Sequence, residues 1–283
     1  MSLADLDGFE GKVALITGGA RGQGRSHALR LAEAGVDIVV CDACTRIPAA
    51  SYAMPTLEDL QETAQLIQDM DRRVIARQVD VRDLGALEAL VAETRDELGR
   101  LDFVVANAAI ASYGTALELS DDAWQELIDI NLIGVWHTVR AAAPLVIEGR
   151  RGGSIVLTSS AAGERGLYGL VHYVAAKHGV VGMARALANE FGQHNVRVNA
   201  VLPGTVNTPM AANPATYALY RPDLESPTVE DCEEVMLGLN LLPVKWVEAA
   251  DISNAVAFLL SDQSRYVTGI SLPVDAGYVT KTI

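Results

Sequence analysis

Residues 12–35 read KVALITGGARGQGRSHALRLAEAG. A β-branched apolar run, KVALIT, passes into glycines 18, 22 and 24, and these open a pattern with helical spacing. Glycine permits positive φ in a tight turn and lets backbone N–H groups come close to a ligand. A helix N-terminus adds partial positive charge, so strand, glycines and helix in this order read as a cradle for the pyrophosphate of a dinucleotide. Tight turns also collect glycine; the order of the three parts carries the reading, not the glycines alone. Ala20, Arg21 and Gln23 complete the turn. The spacing is Gly-x-x-x-Gly-x-Gly, not the Gly-x-Gly-x-x-Gly of many dehydrogenases.

The same rhythm continues outward. Short apolar runs recur at VDIVV (36–40), RVIARQV (73–79), DFVVA (102–106), GSIVLTS (153–159), VRVNAV (196–201) and GISLPV (269–274), with longer amphipathic stretches between them. Near-continuous apolarity marks strands buried on both faces. Thr56 ahead of LEDLQETAQLIQDM, and Ser120 ahead of Asp121 and Asp122, supply helix start signals. Strand–helix alternation of this kind predicts an α/β fold, a doubly wound parallel sheet with helices on both faces. No linker rich in Pro, Gly or Ser divides residues 1–283, so a single domain is expected.

Charge narrows the partners. The 22 basic and 36 acidic residues give a formal charge of −14, which repels phosphate backbones and anionic membranes. Nucleic acid and membrane are therefore not expected partners. No apolar run approaches the roughly 18 residues that cross a bilayer. MSLADLDGFEGK lacks the plan of a signal peptide, and three cysteines do not suit a secreted disulfide framework. A cytoplasmic location is expected.

Asp42 closes the second strand, 18 residues beyond Gly24. An acid there can accept from the adenosine ribose hydroxyls and repels a 2′-phosphate, favouring NAD over NADP. Arg21 pulls the other way, since a basic residue in the glycine turn can meet a 2′-phosphate. Asp80, ending the third strand, suits either the adenine amine or a helix cap. Cys41 and Cys44 have redox or metal spacing, but they straddle Asp42 at a strand end, with no helix pattern until Thr56. The five histidines show no metal spacing, and no metal site is expected.

The fifth run ends in Thr158, Ser159 and Ser160, and Tyr173-x-x-x-Lys177 follows within YVAAK. At i and i+4 of a helix both side chains share one face. A phenol titrates near pH ~10, and a neighbouring ammonium lowers that value toward a usable acid/base. Asn131 lies mid-pattern in DDAWQELIDINLIGVWHTVRAAA, where a buried amide is costly without a task.

TGGARGQG (17–24), NAA (107–109), Asn131, Ser160, Tyr173-x-x-x-Lys177 and PGTVNT (203–208) together resemble the short-chain dehydrogenase/reductase family over nearly the whole chain. The resemblance implies a Rossmann-type fold and hydride transfer between a nicotinamide and an alcohol or carbonyl. It implies Tyr173 as acid/base, Ser160 on the substrate oxygen, Lys177 lowering the tyrosine pKa and gripping the nicotinamide ribose, and Asn131 holding a water of the proton relay. It also implies cofactor contacts from Val81, Asn107, Ala108, Pro203, Gly204, Val206 and Thr208. Ala109 stands where the family has glycine. GGARGQGRSHALRLAEAG, the insert after Asp42 and RQVDVRD further resemble a carveol-dehydrogenase-like branch associated with mycofactocin, which implies NAD held without exchange and electrons leaving to a dedicated acceptor.

Two segments break the rhythm. Residues 43–55 form an insertion beside the adenosine, expected to fold over it and slow its departure. Residues 205–247 carry five prolines and the apolar side chains Met210, Tyr217, Tyr220, Met236, Leu239, Leu241, Leu242 and Trp246. A substrate lid is expected there, over a small hydrophobic alcohol or ketone. A homotetramer is the family expectation. A non-catalytic NAD-binding regulator on the same fold is the rival reading.

Overall fold

The computed structural model describes residues 7–282. Its seven parallel strands are β1 (Val13–Thr17), β2 (Asp37–Asp42), β3 (Val74–Gln78), β4 (Phe103–Ala106), β5 (Gly153–Thr158), β6 (Val196–Pro203) and β7 (Ser271–Val274), in the order β3-β2-β1-β4-β5-β6-β7. The seven expected runs are the seven strands. The central ones are buried at nearly every position, whereas β3 and β7, with a neighbour on one side only, are largely half-exposed or exposed.

Alternation along each strand divides the core in two. Val13 and Leu15 of β1 join one apolar cluster with α3 (Leu84–Leu98), α5 (Gly134–Glu148) and α6 (Val171–Phe191). Ala14 and Ile16 join the other, with α1 (Gly22–Glu33), α2 (Leu57–Gln68) and α9 (Ala249–Leu260). Strand order reverses between β1 and β4, and the crevice at such a reversal is where ligands bind.

Helix starts obey the expected signals. Thr56 and Asp59 form a capping box on α2, and Ser120 Oγ caps α4 (Asp121–Ile128) by accepting from Ala123 N at 3.2 Å. A π turn, Asp129–Ile133, joins α4 to α5. The resulting segment, Asp121–Glu148, has the length and apolarity to span a bilayer, yet 61% of its most apolar window is buried inside the fold, as in a core helix.

The 205–247 excursion contains two helices, α7 (Pro214–Tyr220) and α8 (Val229–Leu239), and its ends are tied by a bridge between Val206 and Val247. Of the eight apolar residues singled out there, Met236 is buried within the excursion, Leu241 and Leu242 are exposed at 58% and 60%, and Met210 alone reaches the cleft.

Candidate active site

One end of the crevice is made of backbone. Gly18 takes φ +69° to turn the chain out of β1. A Cβ on Gly24 would lie 2.1 Å from the Gly18 carbonyl oxygen, so only hydrogen fits. Arg21 is the N-cap of α1, no side chain among the described residues caps that end, and no acid occupies the first turn. The leading N–H groups are thus available to an anion, which is what a pyrophosphate requires.

Asp42 is buried against this turn, accepting from Ala20 N at 3.1 Å and Cys44 N at 3.4 Å. Burial pushes its pKa up, and the N–H donors and Arg21 offset this only in part. Arg21 itself is committed elsewhere: its guanidinium donates to the Ala53 carbonyl in the insertion. Burial also pushes both neighbouring thiols up, Cys44 to about 12, so neither is a thiolate near neutrality and the redox reading of the pair fails.

Asp80 lines the cleft but caps no helix; Asp83 caps α3, accepting from Ala86 N at 3.0 Å. Asp80 faces Arg82, which donates to it at 2.6 Å and to Glu126 at 3.2 Å. Burial raises its pKa, the Arg82 hydrogen bonds outweigh burial, and the net value lies below the usual carboxylate range. Asn107 ties β4 to β1, donating from Nδ2 to the Thr17 carbonyl at 3.1 Å.

The other end is made of side chains. Ser160, after β5, and Tyr173, in the first turn of α6, line the same cleft. Burial pushes the phenol up to about 12, and Ser160 pulls it back only partly. Lys177, 1% exposed, donates from Nζ to the Thr158 carbonyl at 2.9 Å, and burial lowers it to about 7. The ammonium lies 5.6 Å from the Tyr173 ring centroid. The expected lowering of the tyrosine pKa by this lysine is therefore not what sets it here: Nζ faces the ring and a carbonyl, and desolvation dominates.

Asn131 has a structural task as well. The π turn buries it, Oδ1 accepts from Ile110 N and Nδ2 donates to Ile110 O, both at 2.8 Å. Its amide clamps the loop after β4 with one acceptor and one donor, leaving a second N–H and a second lone pair unassigned.

Residues 18–279 match a family model described as Enoyl-(Acyl carrier protein) reductase, and the chain is 51% identical over 273 residues to the (-)-trans-carveol dehydrogenase of Rhodococcus erythropolis, covering 96% of this chain and 99% of that one. The chain belongs to the short-chain dehydrogenase/reductase family. Two solved structures of that family are similar throughout. Carveol dehydrogenase from Mycobacterium avium in complex with NAD gives a TM-score of 0.95 at 55% identity, covering 96% of this chain and 99% of that one. A short chain dehydrogenase from Mycobacterium paratuberculosis bound to NAD gives 0.88 at 42%, again covering 96% and 99%.

In this family member one cleft, about 1020 Å³ of empty space with the solvent at its mouth included, gathers most of the expected residues. The glycine turn contributes Gly18, Arg21, Gly22, Gln23 and Gly24; the ends of β2, β3 and β4 contribute Asp42, Asp80, Val81, Asn107 and Ala108. Ser160, Tyr173, Lys177, Pro203 and Thr208 complete it. Four expected residues do not line it. Ala20 holds Asp42 through its N–H, Asn131 holds Ile110, Val206 pairs with Val247, and a Cβ on Gly204 would sit 2.8 Å from Asp275 Cα. Ala109 lines the cleft without positive φ, so the methyl group in place of glycine brings no backbone strain.

Sequence reasoning missed several cleft residues of the insertion. Ile47, Tyr52, Met54 and Pro55 line the cleft, and the Tyr52 hydroxyl accepts from Ala111 N at 3.3 Å. The insertion thus reaches past the adenosine side to the loop after β4. An aromatic between Pro48 and Pro55 was the one available signal.

Proposed function

We propose that this protein is an NAD-dependent oxidoreductase interconverting a hydrophobic secondary alcohol and its ketone, in the manner of the carveol dehydrogenases it resembles. The observation that carries this is the convergence of Ser160, Tyr173 and Lys177 in the same cleft as the uncapped N-terminus of α1. That N-terminus and the glycine turn take the pyrophosphate. Asp42 accepts from the adenosine ribose, and with Arg21 bound to Ala53 no cation of the turn is left to favour a 2′-phosphate. When bound, the nicotinamide supplies the hydride acceptor for the carbinol carbon.

The chain's own residues then handle the oxygen. Ser160 donates to the substrate oxygen and Tyr173 takes the hydroxyl proton as the carbonyl forms; in reduction the same phenol returns it. A phenol near 12 stays protonated at neutral pH, the form that donates in reduction, so positive charge beside it must favour the phenolate that oxidation needs. Lys177 is placed to supply that charge while it is protonated, and to hold the nicotinamide ribose.

The insertion supports a second part of the proposal. Bonds from Arg21 to Ala53 O and from Ala111 N to Tyr52 strap the cleft, as expected of an enzyme that keeps its NAD and passes electrons to a dedicated acceptor. A homotetramer completes the proposal.

The deciding experiment is purification without added nucleotide, followed by denaturation and identification of what is released. Stoichiometric NAD, with carveol oxidised through an artificial acceptor but not through added NAD, is expected. Free exchange would return the protein to the ordinary NAD-dependent members, and an NAD-loaded protein inert toward hydrophobic secondary alcohols would favour the regulator. Light scattering checks the tetramer.

A further inference from the structure

Thr208, Pro209 and Met210 bring the start of the expected lid to the cleft, and the hold of that segment on the rest of the molecule is uneven. At its base, Asn207 N donates to Val247 O at 2.9 Å and Val247 N to Thr205 O at 3.0 Å. At its far end, Leu241 N donates to Ala276 O at 2.9 Å, and Lys281 reaches the Gly238 and Asn240 carbonyls beyond α8. Between these two anchors lies α7, the part of the lid that follows Met210, and Met210 lines the cleft together with Tyr173.

Among the described residues, α7 has one hydrogen bond to the wall outside the lid. The Tyr113 hydroxyl, from the loop after β4, lies 2.8 Å from Thr216 Oγ1. Thr216 is buried, and its Oγ1 is 3.5 Å from the Met210 carbonyl, its possible acceptor. Asn213 braces the same turn, accepting from Thr216 N at 3.1 Å and donating to Met210 O at 2.8 Å. A short polar chain therefore runs from Tyr113 through Thr216 to the residue that touches the cleft.

The Tyr113 side of the contact is rigid. Asn131 clamps Ile110 three residues before it, and Gly114 N donates to Gly169 O at 3.0 Å, joining its loop to the one that carries Ser160. Tyr113 is also close enough to Tyr173 for the two phenols to interact electrostatically. A fixed wall beside the acid/base thus holds the middle of an otherwise end-anchored lid.

We propose that Tyr113 is a positioning residue whose bond to Thr216 bolts α7 and Met210 over the reacting alcohol. The proposal rests on the alcohol-oxidising function above for its kinetic readout, though not for its structural one. Breaking the bolt leaves the acid/base set intact and lowers the share of closed lid. One net hydrogen bond corresponds to a shift of about 3- to 10-fold.

The test is a double-mutant cycle on the NAD-loaded protein with Tyr113→Phe, Thr216→Val and the pair, each preserving shape. Expected are a carveol KM raised about 3- to 10-fold with kcat within about twofold of the wild type, and amide exchange across residues 210–220 faster by a similar factor. The double variant should be no worse than either single, because all three lose the same bond. Additive losses, or exchange at the wild-type rate in both singles, would overturn the proposal. If the wild type does not oxidise carveol, the function fails while the exchange measurement still decides the bolt.

Discussion

The two ends of the cleft are built by opposite means. At the end proposed to hold the phosphates, what matters is what is missing among the described residues: no Cβ at Gly24, no side-chain cap on α1, no acid in its first turn. At the chemical end, what matters is what has been buried: a phenol pushed up to about 12 and an ammonium brought down to about 7. The first end binds by letting backbone come close, which costs the fold little. The second holds ionisable groups out of water, which opposes folding and is retained for chemistry. Variants should therefore separate the ends cleanly, losing reaction without cofactor or cofactor without distortion of the acid/base.

Tyr173→Phe gives the largest effect. It removes the proposed proton acceptor and leaves the ring packing, so alcohol oxidation should fall by about 10³- to 10⁴-fold. NAD content after purification should stay at the wild-type level. Retained turnover would remove Tyr173 from the mechanism; lost NAD would show that the ends are not independent.

Gly24→Val attacks the other end. The new side chain must occupy the space of the Gly18 carbonyl, so the turn has to open. Released nucleotide should drop to a small fraction of stoichiometric while the circular dichroism spectrum keeps its α/β shape. A variant that still purifies with full NAD would show that the glycine turn is not the pyrophosphate cradle.

The contrast also explains what could be read from the chain. The seven strands were legible because burial on both faces forces unbroken apolar runs, and the glycine turn because a few Cβ-free positions follow a strand. Tyr173 and Lys177 were legible as i and i+4 of one helix. Tyr52 and Tyr113 were not, because their partners, Ala111 N and Thr216 Oγ1, lie 59 and 103 residues away. No local period reports such a pair. Asp80 was half legible: its place at a strand end was clear, while its pairing with Arg82, two residues on, was not. Asn131 was legible as an oddity, but its clamp on Ile110 was not, since a π turn leaves no trace in helical spacing.

Lys177 allows the cost of the chemical end to be measured. Its folded value is about 7 against an ordinary 10.5, so between those values the unfolded chain binds the proton that the folded chain has lost. Stability must therefore rise with pH across that window, while below about 7 both states are charged and the full burial penalty persists. Lys177→Met has no such group. At equal NAD content, wild-type Tm should climb relative to the variant from pH 7 toward pH 10, and the variant should lose about 10²-fold or more in turnover. Parallel Tm profiles would mean that Lys177 stays charged in the folded protein.

The smallest expected effect bears on the segment that touches both ends. The insertion is tied to the glycine turn by Arg21 and to the loop after β4 by Tyr52. If its task is to retain the cofactor, both ties act on one event, the lifting of the strap. Tyr52→Phe and Arg21→Met should each speed NAD release by about 2- to 10-fold, with kcat on carveol unchanged. Deleting most of residues 43–55 should do more than either. The site of Tyr52 makes the result informative, because it lines the same cleft as Tyr173. Were Tyr52→Phe to change kcat while leaving release alone, the insertion would belong to the chemical end, and the division between a backbone-built and a side-chain-built half would have to be redrawn around it.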